Sequence, residues 1–391
     1  MKDFVYSERL RKLPPYLFAE IDKAKRKAKE EGRDIIDLGI GDPDLATPAH
    51  IIDALHKAAV DSSNHHYALD AGMPQLRQAV SSWYNKRFKV ELDPESEILP
   101  LIGSKEGIAH FPLAFIDPGD YALVPDPCYP PYKNGTTFAG GIPYIMPLRE
   151  ENGFLPDLSA VDKSVLQKAK VIFVNYPNNP TGAVADADFY KKIIDFASKY
   201  GLIVCSDAAY SEVCFDGYRP MSILELDGAR DVAIEFHSLS KTYNMTGWRI
   251  GWACGNRKAV AGLAKVKSNV DSGIFQAIQL AGVAALDGPQ NALEKANSIY
   301  SERRDVLVDG LNSIGWKVKK PKATFYVWAK TLKDYDSSAM AAALLEKTDI
   351  IATPGVGLGQ NGEGYIRMAV TVDKDRIAAA VSRIERAFFG R

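Results

Sequence analysis

Cysteine is scarce in this chain: Cys128, Cys205, Cys214 and Cys254 are the only four among 391 residues, and no pair has C-x-x-C spacing. Disulfides and a structural zinc site are therefore not expected, and the two cysteines inside apolar strand-like runs read as small buried residues. No apolar stretch reaches the length that spans a bilayer, and Met1 to Ser7 lacks the apolar core of a signal peptide, so a cytoplasmic protein with no membrane role is expected. Nor is either sign of charge in excess. The formal net charge is −1, which argues against general binding to nucleic acid, and the basic run from Lys23 to Lys29 is flanked by acids, as on a solvated helix face. His65 and His66 have no spaced carboxylate or thiol beside them, so no metal is expected. Internal repeats, low-complexity tracts and long flexible linkers are also missing.

What is present fits a large core. The chain is 46% hydrophobic and 25% charged, and its length points to two domains. Strand-like runs at Tyr121 to Val124, Val171 to Val174, Leu202 to Ser206, Val232 to Phe236 and Trp248 to Ala253 alternate with helical stretches, the pattern of an α/β fold with mostly parallel strands. A helix is expected between Pro14 and Gly32, with Leu17, Ile21 and Ala24 on its apolar face. From about Asn291 the pattern becomes a helix, short strands such as Phe325 to Trp328, and a final helix from Asp373, which reads as a smaller α+β unit. The expected division is an N-terminal arm over 1–45 that joins the small domain, a large domain over 46–285 and a small domain over 286–391.

Candidate chemistry gathers around Ser238-Leu239-Ser240-Lys241 and Arg249. A lysine becomes a nucleophile toward an aldehyde when its surroundings lower its pKa, and a nearby fixed cation helps. Ser238, Ser240 and Arg249 carry donors suited to a phosphate. The strand run ending at Val174 leads into Asn175-Tyr176-Pro177-Asn178-Asn179-Pro180-Thr181-Gly182, and another ends in Asp207, three residues before Tyr210. Gly103-Ser104-Lys105-Glu106-Gly107 has the form of a glycine turn opening a helix, where free backbone N–H groups favour an anion. Arg367 sits in an apolar alternating strand between Ile366 and Met368, where a charge needs a partner. Gly355 to Gly362 contains G-x-G without the full dinucleotide spacing, and reads as a mobile active-site loop.

On these motifs and their order the chain resembles the fold-type I pyridoxal-phosphate enzymes, specifically the class I/II aminotransferases, over nearly all its length. The resemblance implies a large domain with a mostly parallel seven-stranded sheet between helices, a smaller α+β domain, and pyridoxal 5′-phosphate as cofactor. It makes Lys241 the cofactor-bonding lysine, Asp207 the partner of the pyridine nitrogen, and Asn179 and Tyr210 the donors to the ring's phenolic oxygen. Ser104, Lys105 through its backbone, Ser238, Ser240 and Arg249 become phosphate ligands, and Tyr129 the aromatic stacked on the ring. Arg367 corresponds to the clamp for the substrate α-carboxylate, and Ile40 and Gly41 belong to a substrate-side loop whose small residues let the backbone approach the ligand. Tyr67 matches a tyrosine that reaches the phosphate of the partner subunit, so a homodimer with shared active sites is implied.

The segments Ser7 to Phe18, Asp42-Pro43-Asp44 and Asn269 to Gln279 further resemble the L,L-diaminopimelate aminotransferases, which move an amino group between that diamino diacid and 2-oxoglutarate on the lysine and cell-wall route. Ala46 stands where that family's D-P-D-x-P-T-P form has proline, a change expected to affect loop stiffness. Asn269, Asp271 and Gln276 are candidates for contacts to the distal end of such a substrate. The same cofactor residues also suit a broader aminotransferase for alanine, aspartate, methionine or aromatic amino acids, or a C–S lyase. A transcription regulator that uses this fold as a sensor carries a DNA-binding module in front, for which the N-terminal stretch is too short. The expected partners are small amino acids and 2-oxo acids.

Overall fold

The protein is represented by a computed structural model that describes residues 4–14, 17–68 and 71–390; the side chains of 17–20, 24 and 29 are outside that description. Leu69 and Asp70, in the segment after Tyr67, therefore lie outside the described residues, as do the side chains of Leu17 and Ala24. The helix expected between Pro14 and Gly32 runs over Leu17–Glu30, and its Ile21 is buried.

A seven-stranded sheet forms the centre. Its spatial order is Ile98–Leu101, Gly251–Gly255, Ala233–Ser238, Ile203–Asp207, Ala169–Asn175, Tyr121–Asp126 and Ile142–Pro147. Every pairing is parallel except the two made by Gly251–Gly255, which runs antiparallel to both its neighbours. Runs such as Val171-Ile172-Phe173-Val174 are buried without alternation because helices cover both faces of the sheet. One core includes Leu76, Val80 and Ile193, and a separate one on the sheet includes Phe111, Phe236 and Leu263.

Local chemistry sets the helix ends. Ala187–Tyr200 starts where the Asp186 side chain accepts from the Phe189 N–H at 2.9 Å, and it stops at Gly201, whose φ is +67°. Its buried Phe189, Tyr190, Ile193, Ile194 and Ala197 recur at helical spacing against the sheet. The run expected from Trp248 contributes strand only from Gly251. Thr246–Trp248 is a 3₁₀ turn and Arg249 adopts a left-handed conformation at φ +57°, which turns the chain before the strand begins.

A further core includes Ile36, Tyr300, Leu307, Val327, Ile366 and Ile377. It is built on the antiparallel strands Thr353–Pro354, Tyr365–Ala369 and Tyr326–Lys330 with the helices Asn291–Ser313 and Lys374–Ile384. The N-terminal segment packs here: Ile36 pairs in parallel with Ile350, Arg33 donates to Asp349 at 2.7 Å, and Asp34 accepts from Arg376 and Arg383. Leu307 is fully buried in this core, so Leu307→Ala is expected to cost about 2–5 kcal/mol through lost burial and the cavity left behind. Urea unfolding measures this, and a variant whose midpoint equals the parent's would show that the core here is not close-packed.

Candidate active site

The C-terminal ends of the parallel strands open into a cavity of about 300 Å³, the place where sheets of this type bind ligands. Ser104, Lys105, Tyr129, Asn179, Asp207 and Tyr210 all line it, as do Ser238, Ser240, Lys241 and Arg249. Ile40, Gly41 and Arg367 complete the wall from the other side. Segments far apart in sequence thus meet around one space.

Lys241 projects from the short helix Leu239–Thr242, which follows directly on the strand Ala233–Ser238. The Ser240 N–H donates to Ser238 Oγ at 3.2 Å, which fixes the turn. The lysine Nζ donates to the Gly41 carbonyl at 3.1 Å. Burial lowers its pKa; the nearby Arg367 and Arg249 act in the same direction, against opposing pulls from Tyr326 and Asp42.

One end of the cavity is built for an anion. Gly103, at φ +73°, immediately precedes the helix Ser104–Phe115, so the first N–H groups of that helix lack partners within it. A Cβ on Gly103 would stand 2.3 Å from Nη2 of Arg249, so a side chain here would push the guanidinium off the helix end. Arg249 is held by donating from Nη1 to the Thr246 carbonyl at 2.7 Å.

A buried acid is also part of the wall. Asp207 accepts from the Tyr132 hydroxyl at 2.7 Å and from the Ala209 N–H at 3.2 Å, while Asn175 Nδ2 donates to its carbonyl at 2.7 Å. Burial raises its pKa to about 6, with Tyr132 and Ala209 holding it down. The Asn175 Oδ1 accepts from the Asn179 N–H at 2.8 Å, and Asn179 Oδ1 accepts from Arg367 Nη1 at 2.8 Å. With that oxygen committed, the Asn179 amide group is the donor left for a ligand. The Tyr210 and Tyr326 hydroxyls are 3.0 Å apart; only one donates to the other, so a proton remains for the cavity. Arg367 is almost wholly buried, donates to the Gly39 carbonyl at 2.7 Å, and lies 4.2 Å over the Tyr326 ring.

Several sequence readings change here. Gly41 is small because a Cβ would come within 2.3 Å of the Tyr326 ring and hydroxyl, so it makes room for a tyrosine as much as for a ligand. Gly355 to Gly362 does not line the cavity. It packs on the corner after Tyr121–Asp126, where the Asn361 N–H donates to Asp126 Oδ1 at 2.7 Å and Cys128 N–H donates to the Leu358 carbonyl at 2.9 Å. A hydrogen-bonded brace therefore replaces the expected mobile active-site loop. Asn269, Asp271 and Gln276 do not line this chain's cavity either. Asn269 donates to the Lys265 carbonyl at the end of the preceding helix, Asp271 accepts from the buried Lys267 at 2.6 Å, and Gln276 Nε2 donates to the carbonyls of His66 and Tyr67. Tyr67 is 82% exposed and outside the cavity. The sequence motifs contained Asp42 and Asn175 without assigning them a place in the wall, and gave no sign of Tyr326 in it or of Tyr132 behind it. Tyr132 lies three residues beyond Tyr129, at the start of the helix Pro131–Phe138, a spacing that offers the only sequence signal for it.

A glycine-led helix end beside Arg249, a buried acid and a lysine of lowered pKa together could hold a phosphate-bearing aldehyde. The aminotransferase class I and II family matches residues 33–384. The chain is 55% identical over 388 residues to the LL-diaminopimelate aminotransferase of Desulforudis audaxviator, covering 99% of each chain. It is 57% identical over 386 residues to that of Syntrophobacter fumaroxidans, covering 99% of this chain and 100% of the relative. Among solved structures, substrate-bound BacF from Bacillus subtilis superposes with a TM-score of 0.94 at 39% identity, covering 98% of both chains. The chain belongs to the class I and II aminotransferases, and its fold is that of the fold-type I enzymes. Pyridoxal 5′-phosphate is its cofactor, and the Gly103–Arg249 cup, Asp207 and Lys241 fit the phosphate, ring nitrogen and aldehyde of that molecule.

Because Asp207 titrates near pH 6 when folded and near the ordinary carboxylate value when unfolded, its ionisation opposes folding of the apoprotein. The contribution is fully favourable below the unfolded pKa and is lost as pH rises through about 6. Apoprotein carrying Asp207→Asn should therefore gain stability relative to the parent as pH is raised from about 4 to about 7. Denaturant melts across that range measure the difference, and a constant or shrinking gap would contradict the burial argument.

Proposed function

We propose that this protein transfers an amino group between L,L-diaminopimelate and 2-oxoglutarate. The observation that carries the chemistry is the Lys241 amine, depressed in pKa and inside a cavity with an anion cup and a buried acid. The substrate assignment rests on the relatives at 55% and 57% identity over nearly the whole chain.

When bound, the cofactor supplies an aldehyde that takes up the substrate nitrogen and a ring that accepts the electron pair left at the substrate α-carbon. The helix end at Ser104 and Lys105, with Ser238, Ser240 and Arg249, holds the phosphate. Asp207, whose ionised form Tyr132 and Ala209 favour, would pair with the ring nitrogen and favour its protonated form. Asn179 and Tyr210 would donate to the phenolic oxygen, and Tyr129 would supply an aromatic face for the ring. Arg367 grips the α-carboxylate with its planar fork. With the cofactor in place, the Lys241 amine would act as the general base that takes the proton from the substrate α-carbon. Its lowered pKa raises the fraction of neutral amine able to do so.

The same reading divides the chain into an arm over 1–45, a large domain over 46–285 and a small domain over 286–391. It is supported by the arm's pairing with Ile350 and by a cavity lined by residues of all three parts. We further propose a homodimer in which Tyr67 reaches the partner's phosphate site. Its exposure, and the Gln276 bonds that hold its backbone, support this. No helix among the described residues is long and apolar enough to cross a membrane, and we place the enzyme in the cytoplasm.

Purified enzyme with L,L-diaminopimelate and 2-oxoglutarate should form L-glutamate without releasing ammonia, and Lys241→Ala should lose this turnover entirely. Ammonia in place of glutamate would identify a lyase, and sustained turnover by pure Lys241→Ala would remove the lysine from its role. Sedimentation should show a dimer, with Tyr67→Ala retaining cofactor less well after dialysis. A fully active monomer would refute the shared site.

A further inference from the structure

Lys267, the last residue of the helix Arg257–Lys267, is 1% exposed although it lies outside the cavity. A buried ammonium persists only where other groups compensate its lost hydration. Two carboxylates do so here: Nζ donates to Asp271 Oδ1 at 2.6 Å and to Glu106 Oε2 at 3.5 Å. They belong to different parts of the cofactor site.

Glu106 stands in the first turn of the helix Ser104–Phe115, the helix that opens on the anion cup. The same Oε2 that meets Lys267 accepts from the Ile102 N–H at 3.2 Å, which fixes the chain just ahead of Gly103, and Oε1 lies 3.1 Å from His110 Nδ1. Asp271 belongs to the loop that leads into the helix Gln276–Asp287. Its Oδ1 accepts from the Gly273 N–H at 2.7 Å as well as from the ammonium. Beyond Gly273 the chain grips the Tyr67 segment. Gln276 Nε2 donates to the His66 and Tyr67 carbonyls at 3.0 and 3.3 Å, and Gln279 Oε1 accepts from the Met73 N–H at 2.8 Å.

One ammonium therefore joins the cup of its own chain to the segment that presents Tyr67, the tyrosine assigned above to the phosphate of the partner. We propose that Lys267 is a positioning residue for both cofactor sites of the dimer: through Glu106 it sets the cup of its own chain, and through Asp271 it sets the Tyr67 segment that completes the partner's site. The inference rests on the shared-site reading and gives it a physical link between the two sites. Without the ammonium, two largely buried carboxylates lose the cation that holds them, and both attached segments loosen.

Hybrid dimers separate the two branches. One chain carries Lys241→Ala, so only the other chain can bond the cofactor, and that live site takes its cup from its own chain and Tyr67 from the Lys241→Ala chain. The dissociation constant of pyridoxal 5′-phosphate at the live site is read from the visible absorbance that the cofactor gains on joining Lys241. Lys267→Met on the live chain should raise this constant about three- to tenfold, and so should Lys267→Met on the Lys241→Ala chain alone. Lys267→Arg should restore much of the affinity in either place. Adding Tyr67→Phe to the Lys241→Ala chain that already carries Lys267→Met should weaken binding less than Tyr67→Phe does by itself, since both act through one hydroxyl. A rise confined to the live chain, no rise from either, or full additivity with Tyr67→Phe overturns the proposal. If Lys267→Met does not fold, Asp271→Asn on the Lys241→Ala chain makes the same test, and unchanged affinity at the live site overturns the proposal equally. Tyr67→Phe alone on the Lys241→Ala chain distinguishes the two levels of failure. Unchanged affinity there defeats the shared-site reading and the inference with it, whereas weakened affinity beside an ineffective Lys267→Met on that chain defeats the inference alone.

Discussion

A single buried guanidinium holds the cavity together. Arg367, on the strand Tyr365–Ala369, donates to the Gly39 carbonyl, to Asn179 Oδ1 and to Thr353 Oγ1, and its charged end lies over the Tyr326 ring. A buried cation is tolerated only when such groups compensate its lost hydration. The N-terminal segment, the Asn175 to Gly182 loop and the C-terminal strands must therefore sit at fixed positions around it. The group assigned to grip the substrate carboxylate also sets the registration of the walls, so binding and architecture share one side chain.

The rest of the site follows from placing charges where water is scarce. Burial acts oppositely on its two ionisable centres, pushing Asp207 up and Lys241 down. Each shift favours the neutral form, and each is useful in a different way. Neutral Lys241 is a nucleophile and a base. Asp207 is kept near its ionised form by Tyr132 and Ala209, and a protonated ring nitrogen opposite it would complete the compensation. Tyr132, stacked 5.1 Å from Phe173, is held in place by the sheet core, which connects packing to the electronics of the site.

The fold and most of the residues that line the cavity were legible in the sequence because their signals are local. Buried strands such as Val171 to Val174 announce themselves as apolar runs, the cup needs Gly103 before a helix, and Lys241 and Arg249 lie close together in the chain. The missed residues depend on distant partners. Tyr326 reads as one more aromatic in a strand until the fold brings it against Gly41 and Tyr210, which are remote in sequence. Asn269, Asp271 and Gln276 are polar residues near a family-like segment, but their side chains satisfy local helix, loop and lysine contacts. The glycines from Gly355 to Gly362 suggested mobility, whereas Gly355 and Gly362 are small because their backbones touch each other. Asp42 was visible as part of a loop motif, and only the structure places it in the wall.

The most direct measurement is a single half-reaction: holoenzyme mixed with L,L-diaminopimelate in the absence of any 2-oxo acid, with the cofactor then released and quantified. The account predicts that about one equivalent of cofactor per chain passes from the aldehyde to the amine form, since one cavity holds one lysine. Conversion by L-glutamate but not by L,L-diaminopimelate would contradict the substrate assignment, and conversion by neither would contradict the amino-transfer chemistry assigned to Lys241.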